Sequence, residues 1–467
     1  MPRAVTNPYK ILIYKNFRKG YTKDRRTVTI ISKERGRSGL PYIWENGAAM
    51  HKPGREERTG SLMKTVLERF LEYISIDTTS REDSGTYPSS ASQLELGRRL
   101  AEELKSFGIA DVTQDEHGYV IARIPATKEG ALSVGLVAHM DTSDAVSGAD
   151  IRPRLVKYAG GDIVLNEKLG IVMKEAEFPF LENCVGKTMV VTDGTTLLGA
   201  DDKAGVAEIM TAAQRMAAPD APPHGKICIA FTPDEEISGG TKYFDVKGFG
   251  ADLAYTVDGG ALGELEYENF NAAMASVEIT GRSIHPGDAK GRMVNAAVVG
   301  CEFEAMLPPA EQPAFTEGYE GFYHLLSMEG AVERCTMKIA LREHDRGKFE
   351  EQKKRIFSIA GALNDRWGQG TVKVDIKDQY YNMRTAIEEH MEVVEHAVEA
   401  FKACGVEPVI QPIRGGTDGA KLSFLGLPCP NLSAGGYNFH GRFECVPVES
   451  METMAEVLVK LLAGFAD

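Results

Sequence analysis

Histidine and carboxylate side chains stand in this sequence directly after short apolar runs. His139 and Asp141 follow the run at residues 134–138, and Asp258 follows the run at residues 253–257. A neutral imidazole and a carboxylate oxygen are ligands that zinc accepts, and Asp141 could hold the second ring nitrogen of His139. Taken alone, the spacing His-x-Asp also fits a structural histidine at a strand end.

Two acidic clusters offer further candidates. Asp201 and Asp202 precede an apolar helical pattern, where carboxylates could cap the helix or bridge two metal ions. Glu235 and Glu236 close a run of three acids after the apolar residues 227–231. Such acids are either solvated or neutralised by cations. The second reading makes Glu236 a metal ligand and leaves Glu235 to take a proton from water.

His440, in the glycine-rich stretch 435–441, completes the set. Two histidines and three carboxylates, with one spare glutamate, are what two zinc ions and a catalytic base require. The predicted ligands are His139, Asp201, Glu236, Asp258 and His440. The combination is more specific than any of its parts.

The elements that must position these residues alternate between strands and helices. Apolar runs at residues 132–138, 227–231 and 253–257 predict buried strands, and residues 204–216 predict a helix between two of them. This alternation is typical of an α/β fold with a mostly parallel sheet. Open sheets of this kind bind ligands at the carboxyl ends of their strands, where the candidate residues fall.

A second pattern interrupts the first at residues 269–381. Its order of strand, helix, strand, strand, helix, strand predicts an inserted ferredoxin-like α+β domain. The first pattern returns after residue 382, with a predicted helix at residues 387–401 and an amphipathic C-terminal helix. The catalytic domain is therefore predicted to be discontinuous, with its parts at residues 63–268 and 382–467.

Charge separates the beginning of the chain from the rest. Residues 1–62 carry 14 Lys and Arg against 5 Asp and Glu, although the whole chain has a net charge of -14. This basic extension is predicted to be disordered or not part of the native enzyme. The acidic main body argues against nucleic-acid binding, and the chain lacks an apolar run long enough to cross a bilayer. Seven scattered cysteines are predicted to be core residues of a cytoplasmic protein.

Three longer stretches carry a family resemblance. TLLGADDKAG at 196–205, RGGTDG at 414–419 and GGYNFHG at 435–441 resemble the co-catalytic di-zinc exopeptidase clan, and within it the tripeptide aminopeptidases. The match spans Met63 to the C terminus. It implies a zinc-exopeptidase catalytic domain, an inserted lid that also mediates homodimerisation, and hydrolysis of the N-terminal bond of short peptides. The nearest alternative is another di-zinc amidohydrolase, such as a carboxypeptidase or N-acyl-amino-acid hydrolase.

The resemblance also implies roles for the candidate residues. His139 and Asp258 would hold one of two zinc ions per subunit, Glu236 and His440 the other, and Asp201 would bridge them. Asp141 would orient His139, and Glu235 would be the general base. The family pattern further implies a cis peptide bond between Asp201 and Asp202.

Four residues are implied to contact the substrate. His285 would stabilise the oxyanion, and Asn295, Arg342 and Arg414 would grip the peptide's backbone or carboxylate. Near Arg342 the chain has His344 where the family often has a hydrophobic residue. A catalytically inactive peptide-binding module is the rival from another class, but every predicted ligand and Glu235 are present. His51, His224 and His390 are predicted to be surface residues.

Overall fold

The computed structural model describes residues 63–466, so the predictions for residues 1–62 lie outside the described part of the chain. None of the helices within that range combines the length and apolarity needed to cross a membrane. They are α1 (Val66–Tyr73), α2 (Ala91–Ser106), α3 (Ala200–Met216), α4 (Val246–Phe249), α5 (Ala296–Ala305), α6 (Arg346–Trp367), α7 (Arg384–Ile387), α8 (Glu392–Ala403), α9 (Asp418–Phe424) and α10 (Val448–Gly464).

Strands make up four sheets in the same part of the chain. They are β1 (Asp111–Gln114), β2 (Val120–Ile124), β3 (Val134–His139), β4 (Arg154–Lys157), β5 (Ile163–Asn166), β6 (Ile171–Met173), β7 (Thr188–Val191), β8 (Ile227–Thr232), β9 (Leu253–Gly259), β10 (Glu264–Glu266), β11 (Asn271–Thr280), β12 (Phe322–Gly330), β13 (Arg334–Glu343), β14 (Val372–Tyr380), β15 (Val409–Ile410), β16 (Asn431–Ser433) and β17 (Cys445–Pro447).

The central sheet has the strand order β1-β2-β8-β3-β9-β16-β10-β15. Its middle strands β8, β3, β9 and β16 are parallel, while β1 and β2 form an antiparallel edge. Every residue of β3 and β8 is buried, as expected for strands covered on both faces. Helices α3 and α10 pack together against one face and share its core. The predicted α/β class is confirmed.

The insert forms its own sheet with the order β12-β13-β11-β14. All its pairs are antiparallel, and α5 and α6 pack against it around a separate hydrophobic core. The element order is strand, helix, strand, strand, helix, strand, so the prediction of a ferredoxin-like arrangement is confirmed. Asp345 caps α6 by accepting a hydrogen bond from the amide of Lys348.

Two regions differ from the sequence-based expectations. Residues 154–191 form the short strands β4 to β7, which no pattern predicted because each has only three or four residues. The predicted helix at residues 387–401 is instead α7, a 3₁₀ turn at residues 388–390, and α8. Periodicity averages over such a break, since the apolar positions on both sides still face the core.

Candidate metal centre

The carboxyl ends of three neighbouring parallel strands meet at one edge of the central sheet. β3 ends at His139, β9 carries Asp258 one residue before its end, and β8 ends three residues before Glu235. The strands pair in the order β8-β3-β9. Polar side chains from distant parts of the chain therefore come together where such sheets bind their ligands.

One group of possible ligands surrounds His139. Its Nε2 atom lies 2.8 Å from Asp201 Oδ1 and 3.4 Å from Asp258 Oδ1. The histidine is 2% exposed, so it presents this nitrogen from inside the protein. These three residues offer donor atoms that all lie within 4.8 Å of one another, which is close enough to hold one metal ion.

A second group surrounds His440. Its Nε2 atom lies 2.9 Å from Asp201 Oδ2 and 3.0 Å from Glu236 Oε2. The histidine sits in an irregular loop with a positive φ of 59°, as does Asn438 with a φ of 57°. This turn directs an exposed side chain back towards the sheet edge, where the three residues again satisfy the distance condition for a metal site.

Asp201 belongs to both groups because each of its oxygens faces a different histidine. A carboxylate so placed can bridge two metal ions. Glu236 Oε1 is buried without a hydrogen-bond partner in the described part of the chain, as expected for an oxygen that binds a cation. Nitrogen and oxygen donors in this number fit two divalent ions such as zinc. The peptide bond between Asp201 and Asp202 is cis, as the resemblance implied.

Electrostatics in the site reflect its density of charge. Burial raises the pKa of Asp258 to about 7, and burial also raises the pKa of Glu236. Burial disfavours a charged His139, but the surrounding carboxylates outweigh it and raise the pKa of the imidazole well above its usual value. Hydrogen bonds to Asp201 and Glu236 raise the pKa of His440 to about 11. Bound cations would replace these protons.

Asp141 connects the two strands that carry the site. Its carboxylate oxygen Oδ1 lies 3.3 Å from His139 Nδ1, the ring nitrogen that faces away from Asp201. The same carboxylate accepts hydrogen bonds from the backbone amides of Glu235, at 3.0 Å, and Glu236, at 3.1 Å. One fully buried side chain therefore fixes a histidine ring and the start of an acidic loop.

Glu235 lies beside the first group rather than within it. It lines a small cleft with His139, Asp258 and Asp418. Burial raises the pKa of its carboxyl well above the usual value, and the neighbouring charge of Asp418 adds to the effect. A carboxyl that is near the possible ligands but outside both groups can exchange protons with a reactant there.

Two buried acids that sequence reasoning left without a role organise these loops. Asp234 accepts hydrogen bonds from Ser89 and from Gln93 Nε2, and its own amide donates to Gln93 Oε1. Glu444 accepts three backbone hydrogen bonds from the segment that leads into α3. Asp234 stands next to Glu235 and Glu444 stands four residues after His440, but these positions do not reveal which segments they contact.

Two of the predicted substrate contacts lie on the insert and make local hydrogen bonds. His285 is exposed, and its Nδ1 accepts a hydrogen bond from the amide of Gly287 at 3.2 Å. Asn295 caps α5, since its Oδ1 accepts from the amides of Ala297 and Val298. Within residues 63–466, neither side chain hydrogen-bonds to a member of the two metal-ligand groups.

Arg342 and Arg414 have more distinctive surroundings. The guanidinium of Arg342 lies over the ring of Tyr380, 5.6 Å from its centre. Burial is the main cause that raises the pKa of the Tyr380 hydroxyl. Arg414 instead donates hydrogen bonds to the insert loop at residues 316–320. Arg342 thus lies against an aromatic ring of the insert, and Arg414 joins the two parts of the molecule.

Three smaller expectations are corrected. His224 was predicted on the surface but is 1% exposed, because it lies where β8 begins beneath a covering loop. Cys301 was predicted in the core but is exposed on α5, and Cys404 is half-buried. His344, at the position where the family often has a hydrophobic residue, is buried, and its ring centre lies 4.2 Å from that of Phe270 with the two rings tilted.

The fold and the paired ligand groups point to the metallopeptidase class. Comparison with known families agrees: the model of Peptidase family M20/M25/M40 matches residues 192–464, and the chain belongs to this family. It is 52% identical to Peptidase T of Caldanaerobacter subterraneus subsp. tengcongensis, over 86% of this chain and 98% of the relative. It is 53% identical to Peptidase T of Clostridium botulinum strain Hall, over 87% of this chain and 100% of the relative. The resemblance inferred from the motifs is confirmed.

Solved structures share the fold at lower identity. Aminopeptidase PepT from Bacillus cereus has a TM-score of 0.69 and 24% identity, covering 86% of this chain and 98% of that one. A tripeptidase from Staphylococcus aureus has a TM-score of 0.68 and 22% identity, with the same coverage. A dinuclear metal binding peptidase of the M20 family from Bacillus subtilis has a TM-score of 0.56 and 12% identity, covering 85% and 96%.

Proposed function

We propose that this peptidase is a di-zinc aminopeptidase that removes the N-terminal residue of short peptides, tripeptides among them. The observation that carries the proposal is the position of Asp201, whose two oxygens face the imidazoles of His139 and His440 from the two sides of one carboxylate. Co-catalytic sites need such a group to keep two cations a few ångströms apart. The names of the relatives, Peptidase T and tripeptidase, support the choice of substrate.

In this proposal His139 and Asp258 would hold one zinc ion, Glu236 and His440 would hold the other, and Asp201 would bridge the two. Asp141 would orient His139. Zinc held by these residues would supply Lewis acidity to the scissile carbonyl and would lower the pKa of water from about 15.7 towards about 7. The similarity to a dinuclear metal binding peptidase of Bacillus subtilis supports a count of two ions.

Glu235 acts as the general base of the reaction. It takes a proton from the attacking water and returns it to the nitrogen of the leaving amine. Its place in the cleft beside His139 and Asp258, outside both ligand groups, supports this role. The hydrogen bond from its amide to Asp141 limits the movement of the loop, so the carboxylate stays oriented during the transfer.

The insert supplies the contacts to the substrate. Arg342 on β13 is one of them, with its guanidinium over Tyr380, 5.6 Å from the ring centre. A guanidinium there can bind the peptide's terminal carboxylate with two parallel hydrogen bonds. His285 and Asn295 would approach the substrate only when the insert closes over the cleft.

A product analysis tests the proposal against its nearest alternative, another di-zinc amidohydrolase. The zinc-loaded protein is given Met-Gly-Gly, its N-acetylated form and its C-terminally amidated form. Release of methionine from the free peptide, with loss of activity on N-acetylation, is the expected result. Cleavage of the acetylated peptide, or release of the C-terminal residue, would instead assign the chain to the acylases or carboxypeptidases.

Two glutamate variants make this experiment specific. Glu235→Gln keeps the shape of the side chain but cannot accept a proton, so activity should fall by about 100- to 10,000-fold. Glu208→Gln is the matched control, because Glu208 is also buried but lies on α3, with both oxygens unpartnered among residues 63–466. Full activity of Glu235→Gln would refute the role of the base.

We also propose that the chain forms a homodimer through the insert. β12 lies at one edge of the insert's sheet, and an edge strand can pair with the same strand of a second copy. Leu326 on this strand is 50% exposed, and Val298 on the adjacent α5 is 47% exposed. Sedimentation should give a dimer for the wild type and a monomer for Leu326→Lys. Leu132→Lys, at an exposed leucine of the catalytic part, is the control, and a monomeric wild type would refute the dimer.

A cytoplasmic location completes the proposal. It is supported by the composition, in which seven cysteines are scattered along the chain without paired spacing. Cell fractionation with an antibody against the chain tests it, and recovery of the protein outside the cytoplasmic fraction would refute it.

A further inference from the structure

Glu444 joins two loops through backbone hydrogen bonds. Its Oε2 accepts from the amides of Leu198, at 2.6 Å, and Gly199, at 2.8 Å. Its Oε1 accepts from the amide of Asp201 at 3.0 Å. The side chain is 2% exposed, so these contacts are shielded from water. One carboxylate thus holds three of the four residues of the segment 198–201.

This segment needs an external partner. Gly199 has a left-handed φ of 77°, and Asp201 and Asp202 have non-helical backbone angles at the start of α3. The amides of such a segment have no partner within the helix, so burying them requires an acceptor. A carboxylate can accept several hydrogen bonds at once, and each is strengthened by its negative charge.

The other end of the connection lies close to His440. Glu444 follows His440 by four residues, and its neighbour Cys445 begins β17. β17 pairs with β7, the strand that precedes the Asp201 segment. Tyr437 also bridges to Cys445, so the loop that carries His440 is closed on itself. The carboxylate therefore fixes the Asp201 segment against a loop that has little freedom of its own.

We propose that Glu444 is a positioning residue that sets the separation between Asp201 and His440. That separation is 2.9 Å between Oδ2 and Nε2. The hydrogen bonds of Glu444 join the segment that carries Asp201 to the loop that carries His440, and both residues belong to one metal-ligand group. His139 and Asp258, in contrast, stand on the central strands. Loss of Glu444 would free the Asp201 segment to move relative to His440. The site of Asp201, Glu236 and His440 should therefore weaken more than the other, which shares Asp201 but keeps His139 and Asp258 on the strands. The inference rests on the proposed pair of metal ions, but not on the identity of the substrate.

The test counts metal ions rather than activity alone. Metal-free wild type, Glu444→Gln and Glu208→Gln are titrated with Zn²⁺ by calorimetry, and with Co²⁺ by visible absorption. Glutamine keeps the size of the side chain but turns an amide donor towards one of the three backbone donors. Wild type and Glu208→Gln should bind two ions. Glu444→Gln should bind the first normally and the second about 10- to 100-fold more weakly.

The outcomes separate this inference from its alternatives. Unchanged affinity for both ions, or equal weakening of both, would overturn it, since a general loss of stability has no reason to select one site. If circular dichroism shows that Glu444→Gln is unfolded, the same titration is made with Glu444→Asp, which keeps the charge but withdraws the carboxylate by one methylene. Selective weakening of the second ion would then support the inference. Wild-type binding, or equal weakening of both ions, would overturn it. A wild type that binds fewer than two ions would refute the proposed function itself.

Discussion

Asp141 Oδ1 accepts a hydrogen bond from the backbone amide of Glu235 at 3.0 Å, so the residue beside the histidine also holds the candidate base. Its second oxygen holds the amide of Glu236 in the same way. Asp141 is fully buried, and both contacts join β3 to the loop after β8. The positions of a metal ligand and of the base are therefore not independent of each other.

Replacement of Asp141 by Asn tests this connection. The amide presents a donor to one of two backbone donors, so the acidic loop should move and His139 should lose its orientation. We expect kcat for Met-Gly-Gly to fall by about 10- to 100-fold, measured under metal saturation. Asp115→Asn is the control, because Asp115 also accepts two backbone amides but lies in the β1–β2 hairpin. Unchanged kcat for Asp141→Asn would contradict the argument.

The anchor of Asp234 predicts a loss of stability. Gln93 is fully buried and makes two hydrogen bonds to Asp234, one to its carboxylate and one from its amide. Gln93→Ala leaves both groups short of a partner, so the free energy of unfolding should fall by about 2 to 4 kcal/mol. Urea denaturation measures it. Gln369→Ala, which removes one exposed hydrogen bond to Asp365, should change stability by less than about 0.5 kcal/mol.

The sequence predicts the strand-end residues better than the loop residues. His139 and Asp258 follow continuous apolar runs, and such runs predict both a strand and its end. His440 lies in a glycine-rich loop seven residues after the end of β16, so no strand end points to it and it was included because it completes the set of ligands. The short strands β4 to β7 were missed because three or four residues carry too little periodicity.

Residues that act through the backbone are harder to predict. Asp234 and Glu444 make their contacts with segments that lie more than 140 residues away in the chain. A side chain that accepts amide hydrogen bonds leaves no spacing pattern, because any residue can supply the amide. Ligands, in contrast, must be particular residue types. The metal ligands could therefore be proposed from the sequence, whereas the groups that position them required the structure.

Glu266 predicts how stability depends on pH. This glutamate on β10 is 7% exposed and accepts a hydrogen bond from Asn431 at 2.8 Å. Burial raises the pKa of its carboxyl from 4.5 to about 8. Because the folded-state pKa exceeds the unfolded one, its contribution to stability is complete below the unfolded pKa. That contribution is lost as the pH rises through about 8.

Glu266→Gln should remove this loss, since glutamine cannot ionise and can still accept from Asn431. The variant's free energy of unfolding should rise relative to the wild type between about pH 5 and 8, and level off above. Urea denaturation at several pH values measures the difference. Glu329→Gln, at an exposed position of β12, should give a constant difference. Parallel curves for Glu266→Gln and the wild type would show that this carboxyl is ionised throughout.

Arg414 offers a prediction about the contact between the catalytic part and the insert. Its Nη1 donates to the carbonyls of Gly318, at 2.7 Å, and Glu320, at 2.9 Å, and its Nη2 donates to Thr316 Oγ1 at 3.0 Å. The guanidinium also lies 5.1 Å from the ring centre of Phe270. Lysine cannot make these contacts together, because it has a single nitrogen. Arg414→Lys should therefore speed amide exchange in residues 316–320.

The same variant decides between two roles for Arg414. If it acts by holding the insert loop, kcat/KM should fall by the same factor for Met-Gly-Gly and for its C-terminal amide, and this is the outcome that the hydrogen bonds favour. If it binds the substrate carboxylate, as the family resemblance implied, only the free acid should be affected. Arg346→Lys is the control, since Arg346 also stacks on an aromatic ring of the insert, 4.1 Å from the centre of Tyr381. Its kinetics should remain those of the wild type for both peptides.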